Sequence, residues 1–272
     1  MKKNVLFIPV IFLTAGLFAQ KMTLDVASAK KSFGTAITIA PMDSTVTVTK
    51  DKITIAPKKE DVTYTISGYF NGQIVNKTKN TVLKLKDAYL ENTSGAAAIY
   101  GEAKTEVSTT SGTVNYVVSS GTADAKNAAI QFKKNLVLGG SGTLTVKVDV
   151  YHAVKADDVK IKGSGAFYLQ GTDKGSGLNC HSLTVEKGKT FSAYFLNSKN
   201  AVKADNTILI QSGNFYLYDN ETAFKTDTKK EDPKNPHSIT LSGGVFHTSG
   251  NKNFYETEKK AYKALGSKIT EE

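Results

Sequence analysis

The chain has 272 residues, with 35 Lys and Arg against 25 Asp and Glu, a formal charge of +10, one cysteine and no tryptophan. A single cysteine excludes an intrachain disulfide, so stability has to come from packing. Every strongly basic residue is lysine; this argues against nucleic acid, whose base edges are read best by the arginine fork, and leaves a surface suited to anionic polymers or to plain solubility.

Met1–Asn4 is a short basic stretch, Val5–Phe18 is apolar, and Ala19 supplies a small residue before a cut at Ala19–Gln20 or Gln20–Lys21. That order predicts a signal peptide over residues 1–20. The apolar run falls short of the roughly 20 residues that cross a bilayer, and no cysteine follows it for a lipid anchor. The expectation is a protein exported to the periplasm, cell surface or medium, without stable membrane insertion. About 250 residues then remain, enough for one elongated domain.

Residues 21–60 hold alternating segments, Ala36–Ile39, Val46–Val48 and Ile53–Ile55, interrupted by Pro41 and Pro57. They predict N-terminal capping strands, which would keep a sheet edge from pairing with other chains. Residues 61–250 carry the main domain. Three strands are expected between Val62 and Ile99. Residues 104–126, rich in Thr, Ser and Gly, are expected to form an insertion or a longer turn with one strand, Val114–Val118.

From residue 128 to 228 the sequence lines up with itself in steps of about 24. Ile130, Val154, Leu178, Val202 and Phe224 fall at one offset; Phe132, Ala156, Cys180, Ala204 and Thr226 fall two positions on. Leu144, Phe167, Phe191, Phe215 and Phe246 form a third set. Each unit has three short pulses of period 2 separated by Gly, Ser and Asn, which reads as three strands per repeat. The predicted fold is therefore all-β, a right-handed parallel β-helix of three strands per turn, with those three sets pointing inward. A polar interruption, Lys229–His237, enters the last full turn, and residues 251–272 form a C-terminal cap or tail, with helical character expected over Glu256–Leu265.

The run Asn-Ala-Ala-Ile at 127–130, Gly-Ser-Gly-Thr-Leu-Thr-Val at 140–146 and Ala-Val-Lys-Ala-Asp-Asp at 153–158 resembles a bacterial family of secreted carbohydrate-binding domains. Tyr64–Gly68 followed by Gly72–Val75 resembles that family's opening strands. The resemblance implies a polysaccharide-lyase-like β-helix, acidic polysaccharide as ligand, and an association with calcium. The family opens its turns with Asp-Gly-Ile; here those places read His152-Ala-Val, Ser176-Gly-Leu, Asn200-Ala-Val and Thr222-Ala-Phe.

Strand alternation sends the intervening residues outward. Gln131, Lys155, Asn179, Lys203 and Lys225 make one outer column, which could hold carboxylates on its lysines and hydroxyls on its amides; the bland alternative is a solvated face on which Lys neutralises neighbouring Asp. Tyr168, Tyr194 and Tyr216 make another, with Tyr218 beside it, offering aromatic faces to sugar rings. Asp157, Asp158 and Asp205 supply oxygens that could hold calcium, although no cofactor is required. His181 between Asp157 and Asp205 reads as part of a charge ladder rather than as a metal ligand. The expected function is non-catalytic binding of acidic polysaccharide, polygalacturonate-like, with Lys155, Asn179, Lys203, Lys225, Tyr168, Tyr194 and Tyr216 as contacts. Two rivals are a polysaccharide lyase or hydrolase on the same fold, and a structural or adhesive surface protein. No single lysine is marked as a base for a lyase. Asp157 and Asp205, about 9.5 Å apart by strand spacing, meet the inverting separation of a hydrolase only as any stacked repeat would.

Overall fold

The computed structural model describes residues 24–122, 127–227, 237–257 and 261–272. The expected signal peptide and most of the polar interruption at Lys229–His237 lie outside the described residues. Within them the chain is all-β apart from two short helical turns, Ala27–Lys30 and Lys31–Phe33. Its strands belong to one large, mostly parallel sheet. Antiparallel pairing is confined, among the described residues, to the N-terminal end. There Ile37–Ala40 pairs with Thr63–Asn71, and Val46–Val48 pairs with Lys52–Ile55.

The parallel pairings fall into three columns, because each strand pairs with one that arrives a turn later, 24 residues on in the central repeat and between 19 and 31 elsewhere. In the first column Ile130 registers with Val154, Val154 with Leu178, Leu178 with Val202, and Val202 with Phe224. All five side chains are fully buried. The inward set read from the sequence is thus the set the sheet stacks. At roughly 1.5–3 kcal/mol per fully buried large side chain, such a column is a principal source of stability.

The third inner set needs one correction. Leu144 registers with Phe167, but Phe167 pairs with Ala193, and Ala193 with Phe215, which pairs with Phe246. Phe191 lies just ahead of its strand, Ser192–Leu196. Ala193 is too small to fill the level, and the Phe191 ring fills it from outside the strand, edge-on to Phe167 at 5.9 Å and to Phe215 at 5.6 Å. Gly213 makes the room. It sits at φ +91°, and a Cβ there would come within 2.7 Å of the Phe191 ring.

Two other expectations change. The described part of residues 104–126 is the longer turn rather than an insertion, and it holds two strands where one was expected: Thr105–Thr109 and Val114–Ser119 are in register with Leu136–Gly140 and Thr143–Val148, at steps of 31 and 29. The first has Val107 as its one large apolar residue, and Thr105 and Thr109 take the other inner places. Their hydroxyls are satisfied there: Thr105 Oγ1 donates to the Ala103 carbonyl at 2.9 Å and Thr109 Oγ1 to that of Gly139 at 3.4 Å. Among the described residues of Glu256–Leu265 none is helical; Asn253–Glu256 and Tyr262–Ala264 are strands that extend two of the columns.

The N-terminal helical turns lie over the outside of the third column. Val26 and Phe33 pack on Tyr89 and Tyr116, and the Phe33 ring stands 5.6 Å from each. Lys30 reaches Glu91 at 2.5 Å and lies 4.8 Å over the Tyr69 ring. Tyr89 donates its hydroxyl proton to the Val26 carbonyl at 3.1 Å, and Lys147 Nζ donates to that of Leu24 at 3.1 Å. These contacts make a strap across the early levels.

Candidate functional site

Strand pairing alone brings the predicted polar column together. Gln131 registers with Lys155, Lys155 with Asn179, Asn179 with Lys203, Lys203 with Lys225, and Lys225 with Glu256. Adjacent levels are about 4.8 Å apart. All five of the predicted members are half-buried.

Between this column and the turn that precedes it lies a cleft of about 260 Å³. Lys155, Asn179, Lys203 and Lys225 form one wall, and Lys174 and Lys199 stand exposed at the rim. His152, Ser176 and Asn200 line the floor, each no more than 5% exposed. They occupy the first residue of successive turns. The Ser176 N–H donates to His152 Nδ1 at 3.0 Å, and Asn200 Nδ2 donates to Ser176 Oγ at 3.3 Å. With Nδ1 accepting, the neutral imidazole carries its proton on Nε2. Gly175 lets the turn close over the preceding one, since a Cβ there would fall 1.7 Å from the Tyr151 carbonyl oxygen.

The lining is strongly one-signed: five lysines face one aspartate. Lys203 stands 4.0 Å from that residue, Asp205, while Lys225 is paired at 2.6 Å with Glu256 on the next level. Lys225 therefore meets a strand the sequence reading had placed in a tail. Both pairs are partly exposed to solvent, where such contacts contribute about 0–1 kcal/mol.

The structure gathers Lys155, Asn179, Lys203 and Lys225, and puts Tyr168, Tyr194 and Tyr216 elsewhere, on the third column. Those rings do not offer their faces. Tyr168 stacks on Tyr194 at 4.4 Å, Tyr194 on Tyr216 at 4.3 Å and Tyr216 on His247 at 4.6 Å, all within 8° of parallel. On its other side Tyr168 registers with Thr145. Edges and hydroxyls are what this strip presents to solvent, since a ring spacing of one strand level leaves no gap for a sugar. Burial pushes the phenols of Tyr168 and Tyr194 up, so both stay neutral.

The predicted calcium set does not converge either. Asp157 and Asp205 are exposed, Asp158 accepts from Asn135 Nδ2 at 3.4 Å, and Asp205 faces Lys203. Among the described residues no three His, Cys, Asp or Glu side chains come together as a metal cluster. These three carboxylates do not by themselves fit an ion that takes six to eight oxygens.

Sequence reasoning missed Lys174 and Lys199, and it met His152, Ser176 and Asn200 only as departures from the Asp-Gly-Ile turn openings, not as a buried floor. The floor was legible in principle: His152, Ser176 and Asn200 recur at the same 24-residue offset as the inner column. The rim lysines sit in turns, where strand periodicity gives no signal.

Fold and cleft together define an all-β protein with a cation-lined surface site. Residues 42–159 match the profile of a family described as carbohydrate-binding domain-containing protein. That stretch reaches the cleft only at its Tyr151–Lys155 end. A solved structure described as the polysaccharide lyase-like protein from C. thermocellum, in a gadolinium derivative, is similar in fold. Its TM-score is 0.55 at 18% identity, over 84% of this chain and 91% of that one. No curated protein matches the chain.

Proposed function

We propose that this protein is an exported, non-catalytic module that binds acidic polysaccharide. In this reading its three columns wind as a right-handed parallel β-helix, and the glycan lies along the lysine column. The observation that carries the proposal is the cleft in which Lys155, Lys203 and Lys225 converge with Asn179 above a neutral, buried floor. Similarity of residues 42–159 to carbohydrate-binding domains supports the ligand class, and the +10 charge supports its sign. Lys155 and Lys203 are two levels apart, about 9.6 Å, so a repeating polymer meets them in series and weak contacts add through multivalency. The tyrosine strip is left out of the footprint because its ring faces are already occupied.

The test is Lys155→Gln/Lys203→Gln/Lys225→Gln against polygalacturonate, with and without a calcium chelator. Wild-type binding should weaken at least tenfold between 0.1 M and 1 M salt, as the Debye length falls from about 10 Å to about 3 Å. The triple variant should lose the salt-sensitive part. Equal affinity of the two proteins at low salt would make the column a solvated face only. Catalysis is tested separately, by release of unsaturated or reducing ends from pectate, alginate or cellulose. None is expected, and turnover lost in Lys155→Gln or Lys203→Gln would move the protein to the lyase class.

A further inference from the structure

The lysine column begins before the cleft. Followed back from Lys155 it passes Gln131 and reaches Tyr100, in the strand Ile99–Gly101, and Tyr100 registers in turn with Val75. Tyr100, Gln131, Lys155, Asn179, Lys203 and Lys225 thus stand at successive levels of one line, about 24 Å from end to end at the spacing of a sheet. The stretch similar to carbohydrate-binding domains, residues 42–159, holds the Tyr100 end of that line and stops short of Lys203 and Lys225.

Tyr100 differs from the tyrosines of the third column. Tyr168, Tyr194 and Tyr216 cover one another's faces, and Tyr69, Tyr89 and Tyr116 lie beneath the strap. The half-buried Tyr100 has no aromatic ring against it among the described residues; its neighbours along the column are Val75 and Gln131. The Gln131 carboxamide oxygen turns along its own strand and accepts from the Ala128 N–H at 3.2 Å. Its Nε2 keeps both donors without a protein partner among the described residues. Lys133, exposed, holds Nζ 5.8 Å from the centre of the Tyr100 ring, at the outer limit of about 6 Å for such a contact. No carboxylate lies within salt-bridge distance of it among the described residues. An apolar ring with a few polar donors beside it is the composition by which a site fixes the orientation of a ligand.

On the reading above, that an acidic glycan lies along the column, we infer that Tyr100 is the stacking platform for one sugar residue of that glycan, with Gln131 Nε2 and Lys133 Nζ donating to its hydroxyls. The platform and the lysines then divide the affinity. Burial of the apolar face of a sugar on the ring is not screened by salt, whereas the attraction of exposed lysines is. The arrangement also makes the site sensitive to length. An oligomer too short to span the roughly 24 Å from Tyr100 to Lys225 engages one part only and loses the gain of simultaneous contact.

The experiment is calorimetry at pH 7 with polygalacturonate and its oligomers of increasing length, at 0.1 M and 1 M salt. The proteins are wild type, Tyr100→Thr, Tyr100→Phe and, as a control from the third column, Tyr168→Thr. Threonine keeps the strand propensity of the site, and an unchanged circular dichroism spectrum checks the fold. Tyr100→Thr should weaken polymer binding about fivefold or more at both salt concentrations, as loss of an aromatic anchor does. Tyr100→Phe and Tyr168→Thr should stay within about twofold of wild type. Affinity of wild type should rise with oligomer length up to the span of the column, and in Tyr100→Thr it should level off at shorter oligomers. If Tyr100→Thr binds as wild type does while wild-type binding remains salt-sensitive, the platform is overturned and the lysine column stands. If wild type binds no polymer, both readings are overturned. A loss in Tyr100→Phe equal to that in Tyr100→Thr overturns stacking in favour of the hydroxyl, and an equal loss in Tyr168→Thr overturns the placement on this column. Should Tyr100→Thr fail to fold, Gln131→Ala/Lys133→Ala carries the test: it should weaken binding, and unchanged binding in it overturns the platform.

Discussion

Replacing Phe215 by alanine should be among the most damaging single changes in this molecule. The side chain is fully buried and sits at the centre of an aromatic cluster. Ring centroids lie 5.2 Å away at Phe246, 5.6 Å at Phe191, and 6.5 Å at both Phe195 and Phe224. Phe→Ala in a core costs about 3–5 kcal/mol, the spread reflecting how far the site can collapse. Here the backbone ladder fixes neighbouring levels at about 4.8 Å, so collapse is limited and the cost should fall at about 4–5 kcal/mol. A stacked repeat is close to one-dimensional, and the loss should show first as unravelling of local levels. Hydrogen exchange read by segment is therefore the right assay. Protection should fall first in 214–226 and 238–249 and persist in 63–119. A double-mutant cycle with Phe191→Ala should return a coupling of about 0.5–1.5 kcal/mol, the aromatic-pair term. A cost below about 1.5 kcal/mol, or a coupling of zero, would show that Phe191 does not pack into the level that Ala193 leaves underfilled.

Tyr89 gives a pH prediction. Burial, with a smaller contribution from Glu91, pushes its phenol up to about 12, whereas an unfolded tyrosine titrates near 10. The folded state binds this proton more tightly, so the contribution is intact below about pH 10 and is lost as pH rises towards 12. Protease cleavage within 24–34 should accelerate across that window in wild type and should not follow the same course in Tyr89→Phe; identical profiles would uncouple the strap from this phenol. Cys180 is fully enclosed on the inner face, and burial raises its thiol well above the ordinary range. It should stay unmodified by a thiol reagent at pH 8 in the native protein and react on unfolding, and labelling of the native protein within minutes would contradict its inward placement.

The first inner column was legible because β-branched and large apolar residues recur there at a constant step, and the sheet pairs the same residues. The outer column came with it, since alternation fixes Lys155, Asn179, Lys203 and Lys225 once Val154, Leu178, Val202 and Phe224 are inside. Legibility failed where size and spacing diverged. From Phe167 to its partner Ala193 the step is 26, and from Ala193 to Phe215 it is 22. Reading the larger residue, Phe191, as the register member averages the two to 24 and hides both. The early levels were obscure because threonine and asparagine fill inner places there, held by side-chain hydrogen bonds such as Asn76 Nδ2 to Thr105 Oγ1 at 2.8 Å. The strap was invisible because Lys30 and Glu91 are joined only by the fold.

The two outer strips also show how one architecture yields a self-satisfied surface on one side and a charged one on the other. Both repeat at the same level spacing, so what differs is how like side chains treat one another at that distance. Tyrosines attract: at 4.3–4.4 Å their rings stack, each satisfying its neighbour, and the strip has little left to offer. Lysines repel. Two unit charges about 4.8 Å apart oppose each other by about 0.9 kcal/mol in bulk water and by roughly 3–4 kcal/mol at an effective dielectric constant of 20. The sequence moderates this by placing Asn179 between Lys155 and Lys203 and by setting Glu256 beside Lys225. It does not remove it, because Lys203 and Lys225 remain on adjacent levels with Lys174 and Lys199 across the cleft. An anion entering there gains its own attraction and also relieves a repulsion already present in the fold. Regular stacking thus makes the tyrosine ladder a structural element and leaves the lysine ladder with unspent charge, which is what the proposed function draws on.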